Sequence, residues 1–353
     1  MQPTSDPTST RTTAQSKSAA QALALVSSLQ QRFVAGLQQL GDNTNKAQSF
    51  SPVEWCRDAG RHGGGLRFET ADGDLIGRGS VNVSQVHYDD KPEKKLGSAT
   101  AISTIIHPKN PLAPSVHIHI SWTEMKNGLG YWRLMADLNP SNENKAHTAQ
   151  FSDAMRDVSL ALYDAATQQG ERYFFIPALG RHRGVSHFYL ENHNSGDADA
   201  DYALAKAVGQ AAIDTYLDIF NQVLQSEKQA NASEQAAQLA YHTLYFFQVL
   251  TLDRGTTTGL LVHDQNDVGI MGSLPSYVDR DLLRAWMDRM QSPQDQLLKA
   301  LIAALPESSP TLIDETVKQK LAAVVRDHYT SHPEAIGMQA SGDSIPPTVQ
   351  NHC

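Results

Sequence analysis

The chain has 353 residues, of which 40% are hydrophobic and 19% are charged, so it can bury a substantial core in one large domain or two smaller ones. Its formal net charge of −9 argues against general nucleic-acid binding, and it means that an anionic substrate needs locally concentrated cations. The two cysteines, Cys56 and Cys353, lie far apart and no run of about 18 apolar residues occurs, so we expect no disulfide framework, no membrane span and a cytoplasmic location.

The N-terminal part of the chain predicts a tail, one helix and then a series of strands. Residues 1–18 are rich in Ser, Thr and Gln, which favours a disordered tail. Apolar residues recur at helical spacing over Ala19–Leu40, and Asp72-Gly73 is a hairpin signal further on. The strands predicted here lie at residues 66–69, 74–76, 79–87, 99–107 and 115–123.

The last two of these strands flank a proline-rich turn and carry three histidines. Because side chains alternate along a strand, His117 and His119 project from one face while apolar neighbours project from the other. His107 ends the preceding strand, within reach across the hairpin. Imidazoles can act as acid–base groups, as metal ligands or as groups that bind a carboxylate. The spacing alone is equally consistent with a polar strand face that has no function.

The rest of the chain alternates helices with further short strands. Asp137 lies in an apolar setting, as a structural anchor or a catalytic carboxylate does. Residues 179–187 form a dense cationic loop, which is either a solvated surface loop or part of a binding site. Further strands are predicted at residues 131–140, 173–177, 189–193 and 245–251, and as a last hairpin at 257–263 and 270–274. Helices are predicted at residues 147–167, 201–229, from 233 onward, and at 280–290, 294–305 and 311–328.

This order of elements predicts an α+β fold. Several strands are joined by short turns and the pattern does not alternate strictly as βαβ, so the large sheet should be mostly antiparallel with helices packed on both faces. We expect a single domain over residues 19–330, with disordered tails at 1–18 and 331–353.

Sequence motifs in a fixed order run from Ser51 to Tyr277. The most specific are H-P-K-N-P-L-A-P-S-V-H at 107–117 and D-R-G-T at 253–256. Others are W-C-R…G-G-G at 55–65, V-N-V-S-Q-V-H at 81–87, Y-W-R-L-M-A-D-L-N-P at 131–140 and Y-F-F-I-P at 173–177. Together these motifs resemble the oxygen-dependent coproporphyrinogen III oxidases, and the chain looks like a divergent member of that family.

The resemblance implies a flat antiparallel sheet between two helix layers, in a homodimer. It implies oxidative decarboxylation of two propionates of coproporphyrinogen III to vinyl groups, giving protoporphyrinogen IX in haem biosynthesis. Molecular oxygen is then the co-substrate, carbon dioxide and hydrogen peroxide are released, and no organic cofactor is expected.

The resemblance also assigns roles to individual residues. The catalytic set is His117, as the acid, with Asp137, Asp253 and Arg254. A substrate contact falls on Ser103. A divalent metal, which has been assigned to the family's histidines, would use His107 and His117.

Departures from the family pattern concentrate around the substrate. The family's asparagine and arginine after the proline turn become His119 and Ser121, and an aromatic and glycine-rich segment becomes Gly130–Met135. The lost positive charge has candidate replacements in Arg133, Arg181, Arg183, His119 and His187. Two other functions therefore stay open at this point. One is a paralogue acting on another substrate, either as an oxygenase or with a metal bound by His107, His117 and His119, and the other is a non-catalytic tetrapyrrole binder.

Overall fold

The protein is described by a computed structural model covering residues 11–46, 48–226, 228–343, 349 and 351, with the backbone alone at residue 264. The β-strands in this part of the chain are β1 (Ser51–Cys56), β2 (Gly63–Ala71), β3 (Ile76–His87), β4 (Leu96–Pro108), β5 (Ser115–Met125), β6 (Gly130–Asn139), β7 (Phe175–Ile176), β8 (Arg181–His182), β9 (Ser186–His193), β10 (Tyr277–Val278) and β11 (Thr311–Leu312). The α-helices are α1 (Lys17–Asn43), α2 (Lys145–Ser159), α3 (Tyr163–Phe174), α4 (Ala198–Gln225), α5 (Ala232–Thr251), α6 (Arg254–Val262), α7 (Asp267–Ile270), α8 (Arg280–Ala285), α9 (Gln294–Ala304) and α10 (Glu315–Ser331).

A seven-stranded antiparallel sheet forms the centre of the molecule. Its strand order is β1-β2-β3-β4-β5-β6-β9, so β1 to β6 pair in chain order and β9 adds to the edge at β6. The prediction of an α+β fold with a large antiparallel sheet is confirmed.

One face of the sheet is apolar and is covered by α1 and α4. Val116, Ile118 and Ile120 of β5 are fully buried on this face, as their alternation predicts. Burying a side chain of this size contributes roughly 1.5–3 kcal/mol. The predicted first helix is confirmed as α1, which begins where Ser16 accepts a hydrogen bond from the Ala19 backbone N–H at 3.0 Å.

The opposite face of the sheet is polar and is covered by the C-terminal helices. Helices α5, α9 and α10 build a separate hydrophobic cluster of their own, around residues such as Phe246, Leu298 and Leu321. This second layer does not seal the sheet completely, and the gap between them contains the candidate site.

The prediction of an extended segment at 245–251 is wrong, because these residues form the last two turns of α5. All seven residues are buried, so apolar and aromatic side chains surround the helix and no amphipathic stripe identifies it. A short apolar run of this kind cannot be told from a buried strand by periodicity.

The predicted hairpin at 257–263 and 270–274 is wrong as well. Residues 254–262 form α6, and short helical turns follow through residue 273. The Asp253 side chain caps α6 by accepting from the Thr256 N–H, so D-R-G-T begins a helix and does not end a strand. The predicted strand at 173–177 shrinks to Phe175–Ile176, because α3 continues to Phe174.

Ordered contacts extend into both predicted tails. The Ala14 N–H donates to Gln85 Oε1 at 2.9 Å, and Ala335 is fully buried in a 3₁₀ helix at Pro333–Met338. The remaining tail residues, 1–10, 344–348, 350, 352 and 353, lie outside the described part of the chain.

Candidate active site

Three rows of side chains cross the polar face of the sheet. In an antiparallel sheet, residues directly opposite each other point to the same side. The first row is Ser80, Ile105, His117, Asp137 and His187, the second is Asn82, Ser103, His119, Met135 and Tyr189, and the third is Ser84, Ala101, Ser121 and Arg133. The predicted shared face of His117 and His119 is therefore present, and it belongs to a much wider polar wall.

A cavity of about 220 Å³ lies between this wall and the helical layer. The sheet side includes His117, His119 and Arg133, and the helical side includes Tyr245 of α5 and Asp253 before α6. Pairs of titratable groups in a concave, partly apolar site are the usual setting for a catalytic centre.

His117 is held in place by a buried ion network. Its Nδ1 donates to Asp137 Oδ1 at 2.7 Å, and its ring lines the cavity. The other carboxylate oxygen of Asp137 accepts from Arg183 Nη2 and from Asn139 Nδ2, each at 2.6 Å. Burial alone would raise the pKa of Asp137, but the charges of Arg183 and His117 and these hydrogen bonds hold it far below its ordinary value. Asp137 therefore stays ionised and fixes the His117 ring with Nε2 available for proton transfer.

Asp253 places a second carboxylate on the same cavity. Its Oδ2 accepts from the Thr256 N–H at 2.7 Å, and its Oδ1 accepts from the Tyr173 hydroxyl at 2.8 Å. Burial opposes ionisation, but these donors and the nearby His117 lower the pKa of Asp253 below its ordinary value. The positive end of α6 also favours negative charge at this position.

The predicted arginines occupy three different environments. Arg254 is 3% exposed and pairs with Glu191, so its guanidinium does not line the cavity. Arg183 does line the cavity, but its guanidinium is bound to Asp137 and to Gln248 Oε1. Arg181 is exposed on β8, away from the cavity. The prediction that Arg181 and Arg183 together replace the lost positive charge of the substrate pocket therefore does not match this geometry.

The three histidines offered as metal ligands do not converge. His107 is fully buried, with Nδ1 bonded to Ser115 Oγ at 2.9 Å and Nε2 to the Ser273 carbonyl at 3.2 Å. His119 Nε2 is bonded to Ser121 Oγ at 3.0 Å. No group of three or more His, Cys, Asp or Glu side chains within the described ranges is arranged to hold a metal ion. A three-histidine zinc site does not fit this arrangement, because both ring nitrogens of His107 and Nε2 of His119 are already hydrogen-bonded within the protein.

Several site residues were missed by the sequence interpretation. Asn82 carried a usable signal, since it alternates with Val81 and Val83, whose side chains face the apolar core. Thr256 is the third helical residue after Asp253, a spacing typical of a helix cap. Tyr173 and Tyr245 gave no signal, because each comes from an element whose type was predicted incorrectly.

Several histidines are buried and neutral, and we expect them to make the stability of the fold sensitive to acid. Burial, together with the charges of Arg133 and His117, lowers the pKa of His119 to about 3. Burial lowers the pKa of His242 to about 4, and burial beside His242 lowers that of His107 well below its ordinary value. The unfolded chain binds these protons near pH 6.5 and the folded protein does not, so the free energy of unfolding should fall as the pH drops from about 6.5 toward 4.

Urea unfolding at several pH values measures this effect. Each histidine adds a slope of at most about 1.4 kcal/mol per pH unit. We expect His119→Gln to remove one such contribution over this pH range. A slope unchanged by the substitution would show that His119 takes up its proton in the folded protein.

No helix in the described part of the chain has the length and apolar character needed to cross a membrane.

Comparison with known proteins identifies relatives across most of the chain. The sequence model of the family described as coproporphyrinogen III oxidase matches residues 21–304. The oxygen-dependent coproporphyrinogen-III oxidase of Rickettsia akari (strain Hartford) is 29% identical over 247 residues, covering 66% of this chain and 86% of that protein. The mitochondrial enzyme of the same name from Rattus norvegicus is 26% identical over 278 residues, covering 72% of this chain and 60% of the rat protein.

Proposed function

The chain belongs to the coproporphyrinogen III oxidase family, and on that premise we propose that its cavity is where coproporphyrinogen III is oxidatively decarboxylated. The protein is an oxygen-dependent oxidoreductase of this type. The observation that carries the assignment of the site is that His117, fixed by Asp137, and the helix-capping Asp253 line the same cavity.

Each propionate arm undergoes the same net change. The arm –CH2–CH2–COO⁻ reacts with O2 and one proton to give –CH=CH2, CO2 and H2O2. Oxygen accepts the two electrons and two protons, and the carboxylate leaves as carbon dioxide. Two such reactions give the divinyl product, protoporphyrinogen IX, which places the protein in haem biosynthesis.

Asp253 is suited to stabilise the oxidised ring. A pyrrole N–H can donate to its carboxylate, and positive charge that develops as the ring loses electrons is then stabilised electrostatically. The carboxylate is ionised and oriented before substrate binds, because Thr256 and Tyr173 already hold it. Burial and the Asp253 charge raise the pKa of Tyr173, so its hydroxyl remains a donor.

His117 is suited to move the proton. Its Nδ1–H is bound to Asp137, which leaves Nε2 as the atom that exchanges a proton with the substrate or with reduced oxygen. Ser103 and His119 lie beside it on the next row and offer neutral hydrogen-bonding groups to the macrocycle.

The cavity is small for a tetrapyrrole. Its volume of about 220 Å³ is below the roughly 300–1,000 Å³ typical of sites for drug-sized ligands. We therefore expect the part of the wall formed by residues 259–273 to move outward when the macrocycle binds. The sheet side, whose strands are hydrogen-bonded to one another, provides a fixed surface.

A single-turnover assay tests the proposed reaction. Purified protein is incubated with coproporphyrinogen III without oxygen, oxygen is then admitted, and the products are identified by mass spectrometry. We expect a divinyl product and two oxygen molecules consumed per substrate. A protein that binds the substrate and leaves all four propionates intact would contradict the proposal.

Further parts of the proposal come from the sequence and from the family resemblance. We propose a single domain that includes residues 19–330 and the ordered segments flanking them, a homodimer, a cytoplasmic location, and turnover without an organic cofactor or a metal. Sedimentation analysis tests the dimer, and turnover after treatment with a chelator tests the metal.

A further inference from the structure

Arg183 and Arg133 on the cavity wall differ in whether a carboxylate of the protein neutralises their positive charge. Arg183 is bound to Asp137, and both side chains are almost completely buried. Arg133 forms no ion pair with any carboxylate among the described residues, and its Nε is buried without a hydrogen-bond partner. Arg133 is thus a charged group on the cavity surface that lacks a counter-ion among the described residues.

The surroundings of Arg133 leave room for an anion. Directly opposite on β5 lies Ser121, whose short side chain is bound to His119. The charge of Glu191 acts on Arg133, but the Glu191 carboxylate is already bound by Arg254 and by the Tyr189 hydroxyl at 2.6 Å. An arginine on the wall of a partly enclosed cavity is stabilised when a carboxylate binds its guanidinium in two places.

We propose that Arg133 binds a carboxylate of the substrate, and specifically one that is not being decarboxylated. Arg133 and Asp137 are four residues apart on β6, which corresponds to about 13 Å along a strand. The arm held by Arg133 is therefore distinct from the arm beside His117, and Arg133 sets the orientation of the macrocycle in the cavity. This inference rests on the proposed function, because it takes the substrate to be a tetrapyrrole with several carboxylate arms.

We expect substitution of Arg133 to change KM more than kcat. Loss of a charge-assisted hydrogen bond corresponds to about a 10- to 100-fold loss of binding. We expect Arg133→Gln to raise KM for coproporphyrinogen III by this factor with kcat changed less than about threefold, because a remote arm contributes equally to ground state and transition state. Arg133→Lys keeps the charge without the planar fork, so its KM should lie in between.

Binding of oxidised coproporphyrin III, followed by fluorescence, provides a readout without turnover. This porphyrin keeps the four carboxylates and is not a substrate for decarboxylation, so its binding and the failure of the proposed reaction can be observed separately. We expect Arg133→Gln to weaken its binding about 10- to 100-fold and to reduce the dependence of binding on salt.

The matched control is Arg284→Gln, which removes the same charge from an exposed position on α8. It should leave KM and porphyrin binding unchanged. Thermal unfolding should show that Arg133→Gln is folded, since Arg133 makes no hydrogen bond through Nε to the part of the chain that the structure describes. If Arg133→Gln and Arg133→Lys both bind coproporphyrin III as tightly as the natural protein, the inference is wrong, whether or not the protein forms the divinyl product.

Discussion

Replacing Asp253 by asparagine is expected to lower kcat by about 10²- to 10³-fold while the protein stays folded. The substitution removes the negative charge that would stabilise the oxidised pyrrole. It should not remove the helix cap, since an asparagine oxygen can accept from the Thr256 N–H as the aspartate does. Steady-state kinetics and a thermal unfolding curve measure the two quantities separately.

Asp314 offers a matched control for this experiment. It caps α10 in the same way, accepting from the Val317 N–H at 2.8 Å, and it is not among the residues that line the cavity. Asp314→Asn should leave kcat unchanged. An Asp253→Asn protein with normal kcat would show that its carboxylate serves only to cap α6.

Replacing Asp137 by alanine is expected to destabilise the protein by about 3–5 kcal/mol. Asp137 is completely buried, and removing its carboxylate leaves the buried Arg183 without its counter-ion. His117 also loses the acceptor that orients its ring, so turnover should fall in whatever protein remains folded. Urea unfolding at pH 7 measures the loss of stability.

Two further variants separate charge from packing. Asp214→Ala breaks the surface pair between Asp214 and Arg32, whose side chains are 44% and 46% exposed, and it should cost less than about 1 kcal/mol. The double substitution Asp137→Leu with Arg183→Met should recover part of the loss, because no buried charge is left unpaired. If Asp137→Ala were no more destabilising than Asp214→Ala, the ion network would not contribute to the stability of the fold.

The alternation of β5 was sufficient to predict which face of the sheet carries His117 and His119. Val116, Ile118 and Ile120 had to face the core, so His117 and His119 had to face the other way, and an antiparallel sheet then aligns both with their neighbours on β4 and β6. The family motifs added Asp137 and Asp253. In the structure Asp253 lines the cavity itself, and Asp137 binds His117, which lines it.

The roles of the arginines could not be predicted in the same way. Whether Arg254 and Arg183 face a substrate or a carboxylate of the protein depends on Glu191 and Asp137, which are distant in sequence and are brought close only by tertiary packing. Hydrophobic periodicity could not predict the helices within residues 245–262 either. This segment is buried, and the packing of its neighbours decides whether it forms a helix or a strand.

Ser121 has a cationic neighbour that the sequence did not reveal. Arg133 was only one of five candidates for replacing the lost charge. Pairing of β5 with β6 places it directly opposite Ser121, so positive charge reaches this part of the wall from the neighbouring strand. The register of two strands, which a single sequence does not specify, was needed to select it.

The central claim is that the tetrapyrrole binds on the polar face of the sheet, against Asp253 and His117. A crystal structure of the protein with coproporphyrin III tests this most directly. We predict a pyrrole nitrogen within about 3 Å of the Asp253 carboxylate and a propionate on the Arg133 guanidinium. A macrocycle bound instead in the surface groove lined by Asn142, Lys145 and Lys228, with the cavity unchanged, would contradict the claim.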